Sequence, residues 1–107
     1  MNIDIDIQSL SPDEFQKYKL VDIREPNECD AYPPISDKVD FIPLSVIQTK
    51  LDYFNKDHAY LIYCAKGGRS HYLAEILNDQ GVKALSINNG IDSLNYYLKK
   101  NFNTDDA

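Results

Sequence analysis

Ala59-Tyr60-Leu61-Ile62-Tyr63, followed at once by Cys64-Ala65-Lys66-Gly67-Gly68-Arg69-Ser70, reads as a buried strand running straight into a glycine-rich turn. The first five residues are apolar or aromatic with no polar alternation, which suits a central strand covered on both faces. A helix follows the turn. The sequence places Tyr72, Leu73, Ile76 and Leu77 on its inner side and ends it at Gly81, a residue that accepts the left-handed backbone of a helix C-terminus.

Working outward, the same alternation of strand and helix recurs. Val82 to Ile87 contains a second strand, Asn88-Asn89-Gly90 turns the chain, and Ile91 to Lys100 is amphipathic. On the N-terminal side, Ile3, Ile5 and Ile7 alternate with Asp4 and Asp6 as a short strand. Ser11, Pro12 and Glu14 form a helix-start signature, predicting a short helix from Pro12 to Lys17 or Tyr18. Lys19-Leu20-Val21-Asp22-Ile23 is a strand, broken by Arg24-Glu25-Pro26-Asn27, with a helical turn expected between Pro26 and Asp30. Residues 31–39, with Pro33 and Pro34, read as a loop. Phe41-Ile42-Pro43-Leu44 is a short strand, and a helix from Val46 to Phe54, capped by Ser45, is predicted from the apolar face Val46, Ile47, Leu51 and Phe54.

Alternating strands and helices predict an α/β fold: a mainly parallel central sheet of about five strands with helices on both faces. Residues 1–100 form one domain in this reading, and residues 101–107 a frayed C-terminal tail. In such sheets ligands bind beyond the carboxyl ends of the strands. Two strand ends matter, Asp22-Ile23-Arg24-Glu25 and the turn that begins at Cys64, and the topology puts both on one edge.

The turn has a definite chemistry. The first amides of the helix lack intrahelical acceptors. Gly67 and Gly68 let neighbouring amides turn inward together, and such a nest at the positive end of a helix dipole attracts an anion. Lys66 and Arg69 add positive charge. A thiol at Cys64 shares these donors, so its thiolate is favoured and a nucleophile stands beside an oxyanion site. The candidate site is therefore Cys64 as nucleophile, with Ala65, Lys66, Gly67, Gly68, Arg69 and Ser70 binding substrate. Asp22 and Arg24 are supporting residues that hydrogen-bond each other and nearby loop backbone.

The whole-chain properties narrow the setting. The 107 residues carry 17 acidic against 11 basic side chains, a formal charge of −6. An acidic chain with no basic cluster is not built for nucleic acid. No apolar run approaches the ~20 residues of a membrane span. Neither a signal nor a transit peptide is visible at the N-terminus, so the expected compartment is the cytoplasm. There Cys29 and Cys64 are read as separate thiols rather than a disulfide.

At this level the sequence resembles the rhodanese domain family over most of its length. Leu20-Val21-Asp22-Ile23-Arg24-Glu25-Pro26 is similar to the family's Asp-x-Arg-Glu segment, and Tyr63 to Ser70 resembles its active-site loop with the spacing of its sulfurtransferases. Ile42-Pro43-Leu44, Gly81-Val82 and Asn89-Gly90-Ile91 match shorter stretches. The resemblance implies a sulfurtransferase: Cys64 takes sulfane sulfur from thiosulfate or a similar small anionic donor, holds it as a persulfide, and passes it to a thiophilic acceptor, a small thiol or a protein cysteine. It implies no metal and no organic cofactor. An alternative is a relay module without independent turnover, loaded by a protein persulfide. A phosphatase is disfavoured, because thiolate enzymes that cleave phosphate esters use a loop one residue longer between Cys and Arg. The chain departs from the family at Pro33 to Asp40, where a His-Ile-Pro-Gly-Ala-like segment is common, and at Asn89 and Leu94, where a glycine and an aromatic residue are common.

The remaining candidates have plainer readings. Cys29 is read as packing, His71 and His58 as surface residues, most tyrosines as half-buried packing, and Tyr32 as a residue for the rim of the site.

Overall fold

The computed structural model describes residues 2–102. Its centre is a five-stranded, all-parallel sheet in the order β1-β5-β4-β2-β3, with β1 at Asp4–Ile5, β2 at Lys19–Asp22, β3 at Asp40–Phe41, β4 at Ala59–Tyr63 and β5 at Lys83–Ile87. The helices are α1 (Pro12–Phe15), α2 (Pro26–Ala31), α3 (Gly68–Asp79) and α4 (Gly90–Phe102). β4 is central, with Asp22 beside Tyr63 on one flank and Ser86 beside Ile62 on the other. That register brings the ends of β2 and β4 level.

The period of two along each strand sorts the core into two layers. Tyr60, Ile62 and Cys64 pack with Val21, Ile23, Leu73, Ala74 and Leu77 under α3. Leu61 and Tyr63 pack on the other side with Ile87, Ile91, Leu94, Tyr97 and Leu98 of α4. Both faces of the sheet are therefore covered, as the continuous apolar run of β4 requires.

Several local elements differ from their sequence expectation. The segment Leu44–Tyr53 is a 3-10 helix rather than an α-helix. Val46, Ile47 and Thr49 are β-branched and crowd an α-turn, and the Thr49 hydroxyl donates to the Val46 carbonyl at 2.8 Å, the three-residue spacing of the tighter helix. Ser45 does not cap it. Its hydroxyl and amide instead donate to the Glu25 carboxylate at 2.7 and 3.2 Å. β3 is shorter than expected because Pro43 has no amide to extend the ladder, although Ile42 and Leu44 amides still donate to Asp22 and Ile23 carbonyls at 3.0 Å. Tyr72 points out of α3 and is 61% exposed, while Ser70, Leu73, Ala74 and Leu77 form the inner face. Tyr60, Tyr63 and Tyr97 are fully buried, not half-buried. α4 continues through Asn101 and Phe102, two residues assigned in sequence to the tail, and residues 103–107 lie outside the described residues. Among the described residues no helix is long and apolar enough to cross a membrane.

Candidate active site

Cys64 directly follows β4 and is 1% exposed. The chain then rises over the sulfur. Gly67 holds φ +118°, a left-handed backbone closed to most side chains, and this turns its amide onto Sγ at 3.1 Å. α3 starts at the next residue and brings the Ser70 hydroxyl to 3.5 Å from Sγ. Burial by itself raises the Cys64 pKa. The Ser70 hydroxyl and the amides of Ser70, Gly67 and Lys66 outweigh it, so the thiol ionises below its ordinary value. The site is thus a thiol ringed by N–H and O–H donors at the start of a helix.

The loop is held from behind by a second glycine turn. Asn89 and Gly90 carry φ +64° and +55°. The Ile91 amide donates to the Cys64 carbonyl at 3.1 Å. Gly90 packs so close that a Cβ there would lie 2.2 Å from the Cys64 carbonyl oxygen and 2.5 Å from that of Ala65.

The candidate residues separate into three groups. Cys64, Gly67 and Ser70 meet directly at the sulfur, with the Lys66 amide beside them. Ala65 is half-buried, Gly68 is exposed, and the Lys66 side chain stands in solvent. Arg69 is turned toward α2, where its two terminal nitrogens donate to both oxygens of Glu28 at 2.7 and 2.8 Å. The Arg69 guanidinium and the Glu25 amide hold Glu28 far below the usual carboxylate range, to about 2.

Asp22 and Arg24 form a separate, fully buried pair, closed at 2.8 Å with further bonds at 3.1 Å. The Arg24 guanidinium also donates to the Tyr32 carbonyl at 2.8 Å. The pair thereby ties the end of α2 to the end of β2. α2 in turn carries Glu28, so the β2 strand end fixes the partner of Arg69.

Glu28 and Ser86 were missed in the sequence. Glu28 had one visible signal: Glu25-Pro26-Asn27-Glu28 has the three-residue spacing of a capping pair with proline at the first helical position, and the Glu25 amide does donate to Glu28 at 2.9 Å. Ser86 is 1% exposed in β5, with its hydroxyl 2.6 Å from that of Ser70. Its signal was a polar residue in a strand buried on both faces.

The plainer candidates are placed as follows. Cys29 is a free, half-buried thiol whose pKa is raised, first by burial. It lines an open depression of ≈ 380 Å³ with Arg24, Pro26, Pro33, Phe41 and Pro43. His71 faces Asp4 through Nδ1 at 2.9 Å and Glu75 through Nε2 at 2.8 Å. His58 is exposed. Tyr32 is 46% exposed. Among the described residues no cluster of three or more metal-ligating side chains occurs.

The sequence matches the family of rhodanese-like domains over residues 9–95. The chain belongs to the rhodanese-like domain family. That family is associated with sulfur transfer. Among solved structures, a rhodanese-like domain protein from Staphylococcus aureus is 27% identical with a TM-score of 0.63, covering 77% of this chain and 85% of its own. A rhodanese-related protein from Thermoplasma volcanium is 26% identical with a TM-score of 0.72, covering 91% of each chain. An NAD-dependent persulfide reductase from A. fulgidus is 25% identical with a TM-score of 0.67; the match covers 86% of this chain and 16% of that one. Among curated proteins, none matches the sequence.

Proposed function

We propose that this rhodanese-like domain is a sulfurtransferase that carries sulfane sulfur as a Cys64 persulfide. The observation that carries the reading is the Cys64 sulfur, buried yet favoured as thiolate by the Ser70 hydroxyl and by the amides of Ser70, Gly67 and Lys66. In the first half-reaction the thiolate attacks the outer sulfur of thiosulfate or a similar donor. A bond forms from Sγ to that sulfur, the donor's own bond to it breaks, and sulfite leaves with the electron pair. In the second, an acceptor thiolate attacks the outer sulfur and Cys64 leaves as thiolate. The same donors that hold the resting thiolate serve the persulfide anion and the returning thiolate. Neither half-reaction needs a general base, in keeping with the placement of His71 away from the sulfur on Asp4 and Glu75. The two unpaired cysteines fit a reducing, cytoplasmic compartment.

Treatment with thiosulfate followed by intact-protein mass spectrometry tests this. The wild type gains one sulfur and Cys64→Ser gains none. An equal gain on Cys64→Ser, or no gain on the wild type with any sulfane donor, overturns it.

One observation favours a relay as the second reading. Arg69 is bound through both terminal nitrogens by Glu28, so its charge is already neutralised, Lys66 alone of the two loop cations stays free, and the attraction for a doubly charged donor is reduced. A persulfide donor, singly charged, suffers less from this. The A. fulgidus neighbour is a persulfide reductase by name, and a persulfide is accordingly the alternative donor for this chain. Slow turnover with thiosulfate together with fast loading from a protein persulfide identifies the relay.

A further inference from the structure

Ser86 is a buried hydroxyl that the sulfur-transfer scheme leaves without a task. It lies in β5 between Leu85 and Ile87, which face α4, and so it faces α3 instead. Its amide is spent in the sheet, donating to the Ile3 carbonyl at 2.7 Å. Its hydroxyl is 2.6 Å from Ser70 Oγ and 3.4 Å from the Gly67 carbonyl oxygen.

The hydrogens around Ser70 can be counted. Ser70 is fully buried and its hydroxyl has one hydrogen to give. Three atoms compete for it: Cys64 Sγ at 3.5 Å, the Gly67 carbonyl at 3.1 Å and Ser86 Oγ at 2.6 Å. The Gly67 carbonyl already accepts the His71 amide at 2.9 Å, so it loses little if Ser70 turns away. If Ser86 donates to Ser70 Oγ, its own strong bond is made and Ser70 has two remaining choices, the carbonyl or the sulfur. A negative charge on Sγ then decides for the sulfur. The chain Ser86 to Ser70 to Sγ is the one arrangement that puts both hydroxyl hydrogens in line toward the thiolate, and each bond in such a chain strengthens the next.

We propose that Ser86 is a positioning residue of the Cys64 site: its hydroxyl donates to Ser70 and thereby aims the Ser70 hydrogen at the thiolate and at the persulfide anion that replaces it. The inference deepens the sulfurtransferase reading and rests on Cys64 acting as a thiolate. It does not require a particular donor or acceptor.

The test is the pH dependence of Cys64 alkylation by iodoacetamide, followed on the Cys64 peptide by mass spectrometry so that Cys29 does not interfere. No sulfur donor is present, so this result and the persulfide result fail independently. Ser86→Ala is expected to move the alkylation midpoint up by about half to one pH unit, the size of one neutral hydrogen bond, because Ser86 bonds the Ser70 hydroxyl and not the thiolate itself. Ser70→Ala moves it up at least as far, and the double variant no further than Ser70→Ala, because Ser86 acts only through Ser70. Ser86→Thr and Ser86→Val form a second pair, nearly equal in shape and differing in the hydroxyl, which reads the same effect if Ala at this buried position does not fold. Thr keeps the wild-type midpoint and Val shows the shift. A midpoint unchanged on loss of the hydroxyl in whichever pair folds overturns the proposal, as does a Ser86 effect that adds in full to that of Ser70→Ala.

Discussion

Gly90→Ala is the sharpest test of how the nucleophile is held. Gly90 is the first residue of α4, with φ +55°, and a methyl group there would sit 2.2 Å from the Cys64 carbonyl oxygen, where ordinary contact begins at 3.4 Å. The atom it strikes is backbone and cannot rotate away. Two costs follow. The left-handed backbone costs an L-residue about 1–2 kcal/mol. Pushing the carbonyl clear stretches its bond from the Ile91 amide, now 3.1 Å, and orphaning a buried partner costs about 1–3 kcal/mol. The expected loss is about 2–5 kcal/mol, a large part of the ~5–15 kcal/mol that holds a domain of this size. Urea unfolding followed by far-ultraviolet circular dichroism measures it. Gly68→Ala is the internal control, because nothing lies within 4 Å of a methyl at that position and its φ is not positive. It is expected within about 1 kcal/mol of wild type, on either side. A Gly90→Ala protein within about 1 kcal/mol of wild type, or a Gly68→Ala protein that loses as much, would refute the reasoning.

Glu28→Gln removes a carboxylate whose pKa is depressed to about 2 from 4.5. Its contribution is present above 4.5 and lost as pH falls toward 2; because both partners are partly in solvent it amounts to about 1 kcal/mol. Urea midpoints of wild type and variant should differ at pH 7, draw together below pH 4.5 and converge near pH 2; a gap independent of pH counts against it. His71 is raised above 6.5, first by the Asp4 hydrogen bond and further by Glu75, so its contribution is present below 6.5 and lost as pH rises through the higher folded value. His71→Gln should lower Tm at pH 5.5 and leave it unchanged at pH 9, and a loss equal at both values would contradict this. Asp22→Ala strands the Arg24 charge, 2% exposed, and should cost about 3–5 kcal/mol in the same urea assay. A loss below about 1 kcal/mol would mean that water reaches Arg24 readily.

Some elements were legible because one residue type leaves few options. The apolar run from Ala59 to Tyr63 had to be buried on both faces, and Gly67 had to mark a backbone that other residues avoid. The parallel sheet followed from alternation. The 3-10 segment was not legible, because apolar residues at Val46, Ile47, Leu51 and Phe54 fit a three-residue turn about as well as an α-turn over so short a span. Tyr72 was misplaced because its size suggested the core, whereas the small, polar Ser70 sets the inner face with Leu73, Ala74 and Leu77. Glu28 and Ser86 carried only weak local signals, for a different reason. Each acquires its role from a partner 41 or 16 residues away, brought there by tertiary packing that local pattern does not encode.

The burial of Cys64 sets a rule of reach. A residue 1% exposed offers its sulfur only to a reagent whose reactive atom leads on a narrow stem. Terminal sulfane sulfur has that shape, and the tip of a persulfide extends about 2 Å past the atom that bears it. Loading therefore carries the reactive atom outward, from the floor of the cradle toward its mouth. The empty thiol lies deepest, and an acceptor cysteine meets sulfur further out only when there is cargo to collect.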